Sequence, residues 1–161
     1  MVMTQTEFRH LMGYFATGVS VVTTRRGDEL RGMTANAITS LSLDPLLLLV
    51  CVERRGSTHL LLEEGRVFAV NFLREDQEHL SRAMAQSEES ATRRLLNIPY
   101  CLGESGAPVL KDCLAFLDCR VVEMYPGGDH TIFVGAVEAG GVVREGRPLI
   151  FYQGQYTRLA E

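Results

Sequence analysis

No stretch of this sequence approaches the roughly 18–20 apolar residues that a membrane span needs. The opening Met1-Val2-Met3-Thr4-Gln5 has neither the basic region nor the apolar run of a signal peptide. A cytoplasmic protein with no membrane partner is therefore the expectation. An excess of positive charge is also missing. Lys and Arg number 16 against 20 Asp and Glu, for a formal net charge of −4. That balance recommends neither nucleic acid nor an anionic surface as partner, and an anionic ligand would need a local positive site. The four cysteines, Cys51, Cys101, Cys113 and Cys119, form no Cys-x-x-Cys pair, and without a secretory signal disulfides are not expected. Cys113 and Cys119 are expected on one face of a strand, a placement that invites a metal, but packing in the core is the expected role. Gly-x-Gly-x-x-Gly, a Walker loop and a Gly-x-Ser-x-Gly elbow are all absent, and His10, His59, His79 and His130 lack zinc-ligand spacing. A classical dinucleotide fold and a metallohydrolase are thereby disfavoured.

What is present is an ordinary globular composition over 161 residues, 46% apolar and 22% charged. That length suits a single domain spanning residues 1–161, with a core large enough to need no staples. Thr4 and Glu7 form a capping box, and Phe8, Leu11, Met12 and Phe15 follow at i, i+3, i+4 and i+7, predicting a first helix with one apolar stripe. Past Gly18 the period becomes that of strands. Residues 19–24 are rich in β-branched side chains, Arg25-Arg26-Gly27-Asp28 reads as a turn, and 30–39 reads as the return strand. Asp44-Pro45 breaks the chain, and the continuous apolar run 46–52 predicts a strand buried on both faces. A short helix capped by Ser57 or Thr58 follows, with Leu60 to Leu62 inward, then a strand over 67–73 and an amphipathic helix over 75–86 with Leu80, Ala83 and Met84 inward. Residues 87–106 read as a long polar loop. Strands near 113–125, 130–139 and 148–157 complete the chain, separated by glycine turns at 126–128 and 140–141. Strands that do not alternate regularly with helices argue against a doubly wound sheet and for a closed or nearly closed antiparallel barrel with flanking helices.

Four segments carry candidate chemistry. In Arg54-Arg55-Gly56-Ser57-Thr58 two cations precede a helix start, whose free N–H groups and partial positive charge suit a phosphate. Ordinary capping with solvated arginines also accounts for this segment. The strand Gly32-Met33-Thr34-Ala35-Asn36-Ala37-Ile38-Thr39-Ser40 alternates small and polar side chains, so a flat ligand could approach its backbone, or it is a half-exposed strand. Gly127-Gly128-Asp129-His130 presents a His on a flexible turn beside an acid that would raise its pKa, and a hairpin explains the glycines but not the His. Asn71 interrupts an apolar strand and needs hydrogen-bond partners there, from its neighbours or from a ligand.

Taken in order, these segments resemble the flavin reductase-like family, together with Phe15-Ala16-Thr17-Gly18-Val19, Ser40-Leu41-Ser42-Leu43-Asp44-Pro45, Gly106-Ala107-Pro108-Val109-Leu110 and Pro148-Leu149-Ile150-Phe151-Tyr152. These are short-chain NAD(P)H:flavin oxidoreductases with an FMN-binding split barrel. Many are reductase components of two-component monooxygenases, such as the 4-hydroxyphenylacetate and phenol hydroxylases. The resemblance runs from Phe8 to Leu159 and implies a mainly β fold with flanking helices, an antiparallel Greek-key split β-barrel. It implies FMN or FAD as flavin, NADH or NADPH as hydride donor, a homodimer, and a separate monooxygenase fed with reduced flavin. Met33, Thr34, Ala35, Asn36 and Ser40 would line the flavin, with Cys51 and Val52 approaching the ring through their backbone. Ser57 and Thr58 would take the phosphate, Asn71 would support the pocket, and His130 would lie near the nicotinamide as the catalytic residue. The family usually has Asp-Pro-Pro where this chain has Asp44-Pro45-Leu46, a departure at a strand entry. Two other readings are a flavin-binding electron-transfer module without turnover and an oxidase related to the pyridoxamine-phosphate type. Retention of Gly128-Asp129-His130 weighs against the first, and the order of motifs against the second.

Overall fold

The computed structural model describes residues 2–160; Met1 and Glu161, the ends of the expected 1–161 domain, lie outside the described residues. Helix α1 (Gln5–Met12) leads into β1 (Thr17–Gly18), β2 (Ser20–Arg26), β3 (Glu29–Ala35), β4 (Ile38–Leu43) and β5 (Leu46–Glu53). Helix α2 (Ser57–Gly65) precedes β6 (Val67–Phe72), a 3-10 turn (Glu75–Gln77), α3 (Glu78–Met84) and α4 (Glu88–Leu96). The remainder is β7 (Tyr100–Leu102), β8 (Pro108–Leu110), β9 (Ala115–Gly127), β10 (His130–Val142), β11 (Ile150–Tyr152) and β12 (Gln155–Thr157).

Seven strands form one antiparallel sheet in the order β3-β2-β6-β9-β10-β5-β4, with non-sequential neighbours of the Greek-key kind. Its two edges are β3 and β4, which only Asn36 and Ala37 join in sequence. Ala35 and Ile38 are three residue steps apart, a span of at most about 11 Å, so the sheet must curl until its edges nearly meet. Register shifts in the long β9–β10 pair, at Val134/Gly135 and at Val137/Ala139, supply local bending. Inside the curl, Val22, Val50, Val52, Phe68, Val70 and Phe133 form one apolar cluster, which Leu62 of α2 joins. On the other side Val19, Val21, Leu30, Leu80, Met84 and Leu95 form a second cluster under α3 and α4. Adjacent Val21 and Val22 of β2 thus serve opposite faces, as the strand period requires.

Several sequence expectations change here. The expected strand 30–39 is two strands, because the chain leaves β2 at Ala35 and takes up β5 at Ile38. Arg25 and Arg26 belong to β2, and the turn is Gly27-Asp28. Helix α2 has Gly56 as N-cap and exposes Leu60, while Leu61 and Leu62 face inward. The helix expected over 75–86 is a 3-10 turn followed by α3, with Ser81 buried and Ala83 half-buried. Residues 87–106 are not a loop: they hold α4 and β7, and α4 buries Ala91 and Leu95. Gly140-Gly141 is no turn but the continuation of β10, where a side chain at Gly140 would sit 2.8 Å from Leu117 Cδ2. The run 46–52 is buried on one face alone, through Leu48, Val50 and Val52. The stripe of α1 is exposed, with Phe8, Leu11 and Phe15 at 57%, 53% and 70%. Cys113 and Cys119 do not share a strand: Cys113 precedes β9, and the two belong to different core clusters. Burial pushes their thiols up to about 11 and about 12.

Candidate functional site

The β3–β4 crossing is the centre of the site. Asn36 leaves the sheet there, exposed, its Nδ2 donating to Thr17 Oγ1 (3.2 Å). Two cavities flank it. One, of about 280 Å³, is lined by Phe15, Thr17, Ser20, Asn36 and Phe72. The other, of about 210 Å³, is lined by Val19, Thr34, Asn36, Phe151 and Tyr156. Thr34 Oγ1 donates to Ser81 O (2.5 Å), which fixes the side chain beneath α3. Ala35 contributes to both cavities, while its side chain and that of Met33 pack on the inner cluster. The Met33 thioether is therefore part of the wall's support.

Farther along β3, Arg31 Nε donates to Ser57 Oγ (3.1 Å) and ties the edge strand to the start of α2. Gly56 caps this helix without a side chain, so its first N–H groups need an acceptor from elsewhere. Glu88, the first residue of α4, provides it: Oε1 accepts from Ser57 N and from Thr58 N (3.3 Å). Burial raises the Glu88 pKa, but the Ser57 hydroxyl, the Thr58 and Ser57 N–H groups and the Arg31 charge outweigh it and hold the carboxyl below its ordinary value. The helix start thus holds an anion, as its dipole and free donors favour. Ser57 and Glu88 line a third cavity, of about 570 Å³, with Arg31, Thr92 and Arg93. Thr92 Oγ1 is buried there with no hydrogen-bond partner among the described residues.

The other candidates separate. Ser40 pairs with Leu48 and shares its face, whereas Cys51 lies on the opposite face of β5. The Cys51 N–H donates to Ala37 O (3.0 Å), placing that backbone against the crossing. Burial pushes the Cys51 thiol up, so it is no ready nucleophile. Val52 is a core residue at 2% exposure. Asn71 is fully buried, its Nδ2 donating to Val21 O (3.0 Å) and Thr23 Oγ1 (3.1 Å) and its Oδ1 accepting from Leu110 N (2.9 Å). Both of its donors are spent, so the expected pocket contact gives way to a core role that joins β6, β2 and β8. His130 opens β10 opposite Glu53, with Nδ1 2.7 Å from Asp129 Oδ1. That contact holds the Asp129 carboxyl below its ordinary value. His130 and Ile132 share a face, and Ile132 pairs with Cys51, so the ring stands two residues along the sheet from the Asn36–Ala37 crossing.

Sequence reasoning missed Arg31, Thr17 and Glu88. For Glu88 a signal existed: Ser87 before Glu88-Glu89, then Ala91 and Leu95 four apart, is a helix start that the surrounding polarity hid.

Comparison with known proteins bears on this site. The family described as flavin reductase like domain matches residues 12–160. The chain is similar to the reductase component of 4-hydroxyphenylacetate 3-monooxygenase from Thermus thermophilus, 43% identical over 152 residues, covering 94% of this chain and 95% of that one. Among solved structures, the flavin reductase PheA2 in its native state has a TM-score of 0.90 at 38% identity, covering 99% of this chain and 100% of that one. The NADH:FAD oxidoreductase SgcE6 of Streptomyces globisporus, in complex with NAD and FAD fragments, has a TM-score of 0.86 at 39% identity, covering 97% and 93%.

Proposed function

The chain belongs to the flavin reductase-like family, and from that premise we propose that it moves a hydride from NADH or NADPH to FMN or FAD, with the start of α2 as the seat of the flavin phosphate. It is an NAD(P)H:flavin oxidoreductase of the split-barrel type. The observation that carries the site assignment is the anion already held by Ser57 and Thr58, beside an edge strand that ends at Asn36. The residues fit a phosphorylated flavin: two N–H donors, the Arg31 charge, and small side chains along the crossing. Met33, Thr34, Ala35, Asn36 and Ser40 are the proposed flavin wall, and the Cys51–Val52 backbone is the proposed approach to the ring.

A bound flavin supplies the hydride-accepting chemistry. The protein's share is positioning, because rings held face to face need no further catalyst beyond orientation and the exclusion of water. His130 is the proposed nicotinamide-side group, its ring oriented by Asp129 through Nδ1.

The finer readings are of the same kind. We propose that the chain folds as one domain over 1–161, which the continuous seven-stranded sheet and the match over 12–160 support. A homodimer is proposed from the apolar stripe of α1 and the exposed Leu43 and Leu46, which a second copy would cover. Phe15, at the end of that stripe, also lines the cavity beside Asn36, which would set the flavin near the dimer contact. Delivery of reduced flavin to a separate monooxygenase in the cytoplasm is proposed from the Thermus relative's name and from the lack of any helix, among the described residues, long and apolar enough to cross a membrane.

The deciding experiment is anaerobic. Purified protein with NADH or NADPH and excess FMN or FAD is expected to bleach many equivalents of flavin. Bleaching of a single equivalent would mean a tight carrier instead, and none at all would sink catalysis with these donors.

A further inference from the structure

We propose that Glu88 is a built-in occupant of the flavin phosphate seat, which must swing out before a flavin nucleotide binds and which returns to help expel it. The inference rests on the assignment of Ser57 and Thr58 to the phosphate.

The geometry leaves little room for both anions. Glu88 Oε1 already accepts from the two N–H groups that a phosphate would use. Its approach depends on Gly56, where a Cβ would stand 2.6 Å from the carboxylate oxygen. The contact is tertiary, made by the first residue of α4 to a helix start thirty residues earlier. Like charges sharing one pair of donors repel, so occupancy by carboxylate or by phosphate is exclusive. Ala91 and Leu95 hold α4 in the core, so the exchange needs only the side chain, on a residue that is otherwise exposed. The 570 Å³ cavity beside the carboxylate gives the displaced side chain room, and Arg31, tied to Ser57 Oγ and to Glu29, keeps a positive charge at its rim. A reductase that treats flavin as a substrate must release it after each turnover. A resident carboxylate that competes for the seat weakens binding of the phosphorylated ligand without touching the ring side.

The test measures binding by quenching of flavin fluorescence, without nicotinamide, on the full chain and on Glu88→Ala and Glu88→Gln. The probes are FMN and riboflavin, which lacks the phosphate. Glu88→Ala should bind FMN about tenfold tighter, the factor that matches ~1.4 kcal/mol for a lost charged hydrogen bond. Glu88→Gln, which keeps the shape and loses the charge, should gain less, and riboflavin affinity should stay within about twofold in both. Unchanged or weaker FMN binding in both variants, with thermal melts like the parent's, overturns the proposal; if Glu88→Ala melts early, Glu88→Gln alone decides. The underlying assignment has its own check in Ser57→Asp, which puts a fixed charge in the seat. If that variant binds FMN as well as the parent does, and the parent binds FMN no better than riboflavin, the phosphate lies elsewhere. If Ser57→Asp selectively loses FMN while the Glu88 variants gain nothing, the seat is right and Glu88 is only a helix cap.

Discussion

At the scale of single residues, position in the fold separates side chains that the sequence makes look alike. Asn71 and His130 are both polar residues at apolar strands. Asn71 spends its amide on three core partners, whereas His130 stands half-exposed at a hairpin tip with one ring nitrogen held by Asp129. A satisfied amide in a dry core specifies packing; a free ring nitrogen at a rim can meet a ligand. His130→Ala is therefore expected to raise the KM for NAD(P)H about tenfold, as loss of one orienting hydrogen bond would. The kcat should change little. Steady-state kinetics at saturating flavin checks this, and a large fall in kcat at unchanged KM would contradict an orienting role. The start of α2 was legible at this scale, because a glycine followed by two hydroxyls after a strand announces free N–H donors. Arg31 and Glu88 were not, because their relevance comes from reaching across the chain.

At the scale of elements, the junctions matter more than the strands. Arg74 follows β6 with its guanidinium buried, and it donates to Asp112 (2.7 and 3.2 Å) and to Asp76 (3.1 Å). Its backbone also bridges to Pro148. This one residue ties the end of β6 to the segments before β9, through its side chain, and before β11, through its backbone. The hydrogen bond from Arg74 holds the Asp112 carboxyl below its ordinary value despite some desolvation. A carboxyl depressed in the native state stabilises fully above its unfolded pKa, and the gain is lost as pH falls through the native value. Asp112→Asn should therefore lower stability at neutral pH, by about 1 kcal/mol because Asp112 is half-exposed and Asp76 remains. The gap in melting temperature between parent and variant should hold from pH 8 to about 5 and narrow below about 4. A gap that widens in acid would contradict the sign. Elements also show where reading the sequence failed: α4 was hidden because polar residues dominate a helix that buries only Ala91 and Leu95.

At the scale of the whole molecule, the surface carries information that the core does not. The seven-stranded sheet curls because its edge strands are consecutive in the chain, and α2, α3 and α4 close its sides. Helix α1 closes nothing: it has a complete capping box and no buried residue. A well-capped amphipathic helix whose apolar stripe is left exposed is costly to solubility unless it is covered. Sedimentation at micromolar concentration should accordingly give the mass of a dimer. Leu11→Glu should shift it to monomer with secondary structure intact, since the residue contributes nothing to the core of one copy. A monomeric parent protein would end the dimer reading.

The sequence alone determined the local frame. Period-two and period-3.6 patterns placed the first helix and most strands, and the Gly56-Ser57-Thr58 break placed the start of α2, since these depend on neighbours a few residues away. Its ordered motifs also carried the family. Tertiary structure decided which faces are covered, that β3 and β4 are the two lips of one curled sheet, that Asn71 belongs to the core, and that a carboxylate from α4 sits on the donors of α2. Each of these depends on residues far apart in the chain meeting at hydrogen-bond distance, and no local pattern encodes that meeting.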